Sequence, residues 1–395
     1  MDQEPASIRL LIVEDDPEWQ ETLEDNFKFE AEEQNFKFEI HISPTIGEAK
    51  SALRTRQYHA LSIDQNMPDA KGGDVTADHG RQFMEGVSKA GIPVFAAMYT
   101  AYPDTENANA IGRATGIEYK TKSTETNTDI NALEPEDYVK WFLETFKKSY
   151  LKKVLKRVAV SAYQNLAEYS RLASDEHDRA IESRQDEDMT RFLSRLNSVR
   201  EELLRNLIAL TRGLMSNAGL KIPKAPNLQQ AHSVENWLKK HWDQLEENED
   251  FVAWKNFMGI SDDYTMSQHF LNPTMELRLE RNRVEHDKKI DYSYETYLKL
   301  YPAIIRMADI LTYFVTRRMI NRPSLIRPGI LSYVELRGTY SETSEILYSH
   351  QPPDDEDNNK VFTQLMDDGP LIALAPGFSV KRDDKERLQL VCDIG

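Results

Sequence analysis

"IRLLIVEDDPEW", residues 8–19, decides the fold. Leu10 to Val13 read as a buried strand, and the run ends in a carboxylate cluster, Glu14, Asp15 and Asp16. Three further stretches repeat the design of an apolar run closed by a polar residue. "HALSIDQNMPD" (59–69) delivers Asp64 at its tip, "IPVFAAMYTAY" (92–102) ends at Thr100, and "GIEYKTKS" (116–123) ends near Lys122. Helical patterns over 18–29, 46–56, 80–90 and 105–114 separate them. Alternating strands and helices predict a doubly wound α/β layer around a parallel sheet. Ligands of such sheets bind at the carboxyl ends of the strands. Glu14, Asp15, Asp64, Thr100 and Lys122 all fall there.

That convergence has a chemistry. Carboxylates in one crevice repel one another unless a cation sits among them, and an all-oxygen donor set favours Mg²⁺. Lys and Thr supply a cation and a hydroxyl for phosphoryl oxygens, and Asp can form an acyl phosphate. Any one of these residues alone reads equally well as a solvated loop acid or a structural carboxylate. Five in order at strand ends point to a site.

Residues 7 to about 130 resemble the receiver domain of two-component response regulators. The acidic pair of the family is matched by Glu14 and Asp15, the phosphoacceptor by Asp64 in "DQNMP", and the switch threonine by Thr100 in "YTA". "YKTK" matches the lysine, Lys122, and the rotating aromatic, Tyr119. Asn66 matches the position whose backbone carbonyl binds the metal. The resemblance implies a five-stranded parallel sheet, Mg²⁺ held by Glu14, Asp15, Asp64 and Asn66, phosphotransfer from a histidine kinase or phosphotransfer protein, and self-dephosphorylation. Two departures stand out. "DAKGGDVTADH" (69–79) adds about eight residues between Pro68 and Gly80, an insertion expected to overhang the site. Ser123 follows Lys122 where the family commonly has Pro.

The following stretch, 135–174, holds no Gly and no further Pro, so a long connecting helix is expected over 133–174. Leu151, Leu155, Val158, Ala162, Asn165, Tyr169 and Leu172 alternate spacings of four and three, as a coiled-coil seam would. The same spacing also suits a face packed on its own domain.

Residues 175–322 read as an all-α bundle, and 323–395 as a β-rich tail of short strands around the polar loop "QPPDDEDNNK". No Gly-rich phosphate loop, Cys/His metal spacing or Ser/His/Asp signature appears in the bundle. No helix-turn-helix is legible, so DNA is not an expected partner. One helix ends in "RNRVEH" (281–286). Three Arg–His pairs at four-to-six spacing occur, Arg54–His59, Arg171–His177 and Arg281–His286, but only the third has an amide directly after the Arg. Its context resembles the HEPN superfamily (higher eukaryotes and prokaryotes nucleotide-binding) over roughly 185–320. Many members are metal-independent endoribonucleases; others bind nucleotides or partners.

On a helix Asn282 and His286 share a face. Arg281 lies roughly 140° from His286, so the two converge only in a terminal turn or between two protomers. The family pools motifs from two chains, which implies a homodimer. His286 would then serve a ribose 2′-hydroxyl as general base or acid, and Arg281 the charge on the phosphate. A charged helix surface, or a non-catalytic signalling adaptor, remains the alternative.

Bulk properties fit this organisation. The 395 residues carry a net charge of −17, and a single cysteine, Cys392, excludes an internal disulfide. Residues 151–330 hold 28 Lys+Arg against 25 Asp+Glu. That near-neutral middle admits a phosphate ligand but not indiscriminate nucleic-acid binding. The start has no apolar signal core, and the most apolar run, "YPAIIRMADILTYFV", carries Arg306 and Asp309. A cytoplasmic protein with no membrane span is expected.

Overall fold

A computed structural model of the chain describes residues 7–33, 37–101, 117–124, 132–161, 163–260, 264–286 and 292–316. Beyond these it describes 319–327, 330–337, 340–347, 361–364, 371–373, 378–382 and 388–392. The chain divides into two compact units, Met1–Val154 and Leu155–Gly395.

The first unit is built on strands β1 (Ser7–Val13), β2 (Lys37–Ser43), β3 (Ala60–Ile63), β6 (Phe95–Thr100) and β7 (Glu118–Thr121). They form one parallel sheet in the order β2-β1-β3-β6-β7. Every residue of β1 from Ile8 to Val13 is buried, as a central strand covered on both faces must be. The strand missing from the sequence reading is β2, whose alternating "KFEIHIS" belongs to an edge. Helices α1 (Pro17–Glu33), α2 (Ile46–Thr55), α3 (Ala77–Ala90) and α4 (Pro135–Val158) cover the sheet. The helix expected at 105–114 lies outside the described residues.

Side-chain caps start α1 and α2. Asp16 caps α1, its Oδ1 accepting from the Glu18 amide at 2.8 Å, with Pro17 at the first helical position. Thr45 caps α2 through the Glu48 amide at 3.2 Å. The 69–79 insertion contributes a small antiparallel ladder, β4 (Met67–Pro68) with β5 (Val75–Thr76). It is tied to the start of α2, where the Gly47 amide donates to the Asp69 carbonyl at 2.9 Å.

The expected continuous helix over 133–174 is broken. α4 ends at Val158, and α5 runs Gln164–Ser183. The last bonds of α4 tighten to Val160 N–Arg157 O and Ser161 N–Val158 O, a three-residue closure that ends the turn. The break also shifts the phase of the apolar face. Leu151, Leu155 and Val158 are fully buried, but in α5 the buried positions are Leu166, Ser170 and Ala173, not Asn165, Tyr169 and Leu172. Asn165 is exposed, and Ala162 lies outside the described residues. The heptad seam is therefore not continuous, and its first half is a packing face within the chain.

In the second unit α5 is followed by α6 (Asp186–Asn217), α7 (Ala231–Trp242), α8 (Glu249–Phe257), α9 (Asn272–His286) and α10 (Tyr294–Thr316). A π-turn, Ser267–Leu271, leads into α9. Gly219 takes a positive φ just beyond α6, as a helix stop requires. The β segment begins earlier than position 323. Strand β8 is Met319–Arg327, and its Pro323 sits where the pairing with β9 (Ile330–Arg337) shifts register. With β10 (Tyr340–Leu347), β11 (Val361–Gln364) and β12 (Leu371–Ala373) these make a sheet in the order β10-β9-β8-β11-β12. β13 (Phe378–Arg382) and β14 (Leu388–Cys392) pair separately. Among the described residues no helix is long and apolar enough to cross a membrane.

Candidate functional site: a lysine shared by two carboxylates

The sheet order brings β1 and β3 side by side, so the residues that follow them, Glu14 and Asp64, leave the sheet together. Lys122 follows β7 two strands away. Its Nζ lies 2.6 Å from Glu14 Oε2 and 2.6 Å from Asp64 Oδ2. Backbone bonds fix each approach: Asp64 N to Val13 O at 2.9 Å, Glu14 N to Ser43 O at 3.2 Å, and Lys122 N to Thr100 O at 2.8 Å.

All three groups are buried; the Lys122 and Glu14 side chains each keep 2% of their surface. Burial lifts the Glu14 carboxyl to about 7, against the pull of Lys122. Burial likewise opposes the charge on Lys122, but Asp64 and Glu14 outweigh it and hold the ammonium above its ordinary value. The cluster is a charged lysine between two carboxylates. Asp15 is half-buried, and desolvation, with Asp64 nearby, raises its carboxyl too.

Thr100 is fully buried at the end of β6. The Asn66 amide donates to Asp64 Oδ1 at 3.2 Å, shaping the acceptor loop. Tyr119 is half-buried and packs against the apolar core of the sheet. Asp16, the third acid of the cluster, is used up as the α1 cap. Gly80 is required by close approach: a Cβ there would lie 2.6 Å from the carbonyl oxygens of both Asp64 and Gln65.

Two features add to the sequence reading. Trp19 lies over the ammonium of Lys122, 4.7 Å from ring centroid to Nζ, and meets Tyr99 edge-on at 5.8 Å. Tyr99 in turn stacks on Tyr138 of α4 at 3.9 Å. The second feature is Ser123. Its amide donates to the Leu133 carbonyl at 3.0 Å, a bond a proline could not make, and the Tyr99 hydroxyl donates to the same carbonyl at 2.7 Å. The family departure at Ser123 thus latches the segment that enters α4.

The residues fit a hard divalent cation in donor type and in charge, since Glu14, Asp15 and Asp64 outnumber one lysine. They are not assembled around one: among the described residues no three acidic or imidazole side chains form a metal-ligating group. Glu14 is turned to Lys122 instead.

In the second unit, Arg281 and Asn282 are half-buried near the end of α9, and His286 is its last residue. Arg281 Nη1 pairs with Glu201 Oε1 of α6 at 3.0 Å. The His286 side chain lies outside the described residues, so its approach to Arg281 does too.

No protein-family model and no curated protein matches the chain. Solved structures similar to its N-terminal part include a CheY-like response regulator receiver domain protein from Methanospirillum hungatei JF-1, at 21% identity. That similarity covers 36% of this chain and 96% of that one, with a TM-score of 0.29. A Francisella response regulator receiver domain is similar at 17% identity, covering 36% of this chain and 98% of that one, TM-score 0.28. The response regulator TrrA of Thermotoga maritima, in complex with Mg²⁺ and BeF, is similar at 22% identity, covering 35% and 98%, TM-score 0.25.

The raised Glu14 carboxyl gives a signed prediction. The folded chain binds more protons than the unfolded chain between pH 4.5 and about 7. Stability from this group is therefore present below 4.5 and lost as pH rises through 7. Urea unfolding in EDTA, at about pH 5 and about pH 8, should show wild type losing stability relative to Glu14→Gln across that range. A difference that stays flat would refute the burial of an ionised Glu14.

Proposed function

We propose that this chain is a response regulator of a two-component phosphorelay, phosphorylated on Asp64 by a histidine kinase or phosphotransfer protein. The observation that carries the reading is Lys122 Nζ at 2.6 Å from both Asp64 and Glu14, at the carboxyl ends of a parallel sheet. In the transfer an Asp64 carboxylate oxygen attacks the phosphorus of a phosphohistidine. The N–P bond breaks, its electron pair stays on the imidazole nitrogen, and an acyl phosphate forms on Asp64. Water later attacks that phosphorus, returning the carboxylate and releasing inorganic phosphate. In this reading Lys122 and Thr100 take phosphoryl oxygens, and Tyr119 is the aromatic of the switch. Asp15, Asp64 and the backbone carbonyl of Asn66, with Glu14 once freed from Lys122, would hold Mg²⁺. That ion would offset the charge of the incoming group.

The helical unit, in this proposal, is a HEPN-type, metal-independent endoribonuclease that works as a homodimer under control of Asp64. His286 takes the proton of a ribose 2′-hydroxyl, whose oxygen attacks the adjacent phosphorus and expels the 5′-oxygen. Arg281 steadies the charge on the phosphate, and Asn282 orients the imidazole. The amide directly after Arg281, on a helix of the helical unit, supports this reading. A second reading, a non-catalytic adaptor, is favoured by the Arg281–Glu201 ion pair, which gives Arg281 a structural task.

Acetyl phosphate with Mg²⁺ should label wild type and leave Asp64→Asn unlabelled; equal labelling of the variant removes Asp64 as acceptor. Total RNA incubated with phosphodonor-treated protein should be cut, leaving 2′,3′-cyclic phosphate ends, with DNA untouched. Arg281→Ala and His286→Ala should each abolish cutting while keeping Asp64 labelling. Wild-type cutting by the double variant would leave the adaptor reading standing.

A further inference from the structure

The ammonium of Lys122 meets two kinds of neighbour. Glu14 Oε2 and Asp64 Oδ2 each accept from it at 2.6 Å. Two aromatic rings also approach it: Trp19 of α1, its centroid 4.7 Å from Nζ, and Tyr99 of β6 at 5.8 Å. The rings meet edge-on at 5.8 Å, so they form one joined aromatic surface. The carboxylates answer the charge of the ammonium. The rings occupy space that water would otherwise take, and the Lys122 side chain keeps 2% of its surface.

Both rings are fixed by bonds of their own surroundings. Trp19 sits in the first turn of α1, which Asp16 caps and Pro17 opens. The residues on either side of it tie back to Glu14: the Asp16 amide donates to Glu14 Oε1 at 3.3 Å, and Gln20 Nε2 donates to the Glu14 carbonyl at 2.7 Å. The indole is therefore placed relative to the same residue that pairs with the ammonium. Tyr99 is held through its hydroxyl, which donates to the Leu133 carbonyl at 2.7 Å, and through its stacking on Tyr138 at 3.9 Å.

In the transfer proposed above, one Asp64 oxygen enters the acyl phosphate, Glu14 is released to the cation, and Lys122 turns to a phosphoryl oxygen. The ammonium thus exchanges its carboxylate partners during the reaction. A further carboxylate in the place of Trp19 would compete with the phosphoryl group for it. An aromatic face attracts a cation without offering an acceptor oxygen, and by excluding water it leaves the charge less screened. We propose that Trp19 is a positioning residue for Lys122: its ring, with Tyr99 beside it, keeps the ammonium at the carboxyl ends of β1 and β3 while the anions around it change. Trp19 acts through Lys122 and not on the phosphorus. The proposal rests on Asp64 being the phosphoacceptor.

The test measures the rate at which acetyl phosphate with Mg²⁺ labels Asp64 in the full chain. Trp19→Leu should slow labelling by about tenfold, and Trp19→Phe should recover most of that loss, since phenylalanine keeps a ring face. A second series puts monofluoro-, difluoro- and trifluorotryptophan at position 19. Fluorine draws electrons from the ring face and leaves its shape nearly unchanged, so the labelling rate should fall with each added fluorine. A Trp19 that merely fills space would not respond to this series. Trp19 is half-buried, and circular dichroism checks that Trp19→Leu folds. If it does not, the fluorinated series decides alone.

Labelling of Trp19→Leu at the wild-type rate overturns the proposal, and so does a rate indifferent to fluorination. A loss in Trp19→Leu that Trp19→Phe does not recover overturns it too, because packing and not the ring face would then be at stake. Wild type separates the two claims. If it takes no label, the phosphoacceptor reading falls and this proposal with it. If it is labelled and Trp19 proves indifferent, only this proposal falls.

Discussion

The ammonium of Lys122 is withdrawn from water and shared between Glu14 and Asp64. Removing one partner of such a buried ion pair typically costs about 3–5 kcal/mol, so the surrounding fold is constrained to deliver all three groups at once. β1 and β3 must be neighbours, so that Glu14 and Asp64 emerge together. β7 must lie beyond β6, so that Lys122 arrives from the side. Gly80 must lack a side chain, because α3 begins against the Asp64 and Gln65 carbonyls.

The same lysine turn anchors the element that leaves the first unit. Ser123, next to Lys122, holds Leu133, two residues before α4 begins. Trp19, Tyr99 and Tyr138 extend from the Lys122 ammonium to the first turn of α4 in successive ring contacts. Tyr138 also bonds Ser62, two residues ahead of Asp64 on β3, at 2.8 Å. The acceptor, its lysine and α4 are therefore parts of one packed group. α4 then continues without interruption to Val158.

Much of this was legible in the sequence, for a physical reason. A central parallel strand is a continuous apolar run, so its end is unmistakable, and Glu14, Asp64 and Thr100 close such runs at β1, β3 and β6; Lys122 follows the edge strand β7. β2 was not legible because, at the edge of the sheet, its "KFEIHIS" mixes polar with apolar residues and forms no apolar run. Trp19 was hidden on a helix where an aromatic reads as ordinary packing. The break at 159–163 was invisible because no Gly or Pro marks it, and only the phase of burial, Leu166 instead of Asn165, reveals it. β8 was missed because Pro323 argues against a strand, and its register shift resolves that objection. In the helical unit the motif helix was found, and it is described from Asn272 through His286. The pairing of Arg200 with Glu235 and Arg278 was not found, since charges 35 and 43 residues apart meet only in three dimensions.

Nitrogen-15 NMR of the lysine ammonium groups tests the central arrangement most directly. A buried ammonium held by two carboxylates exchanges slowly with water, so Lys122 should give a resolved signal that disappears in Lys122→Met. The account predicts that this signal moves when Glu14 is replaced by Gln and again when beryllofluoride and Mg²⁺ are added at Asp64. No resolved Lys122 signal, or one indifferent to both changes, would contradict it.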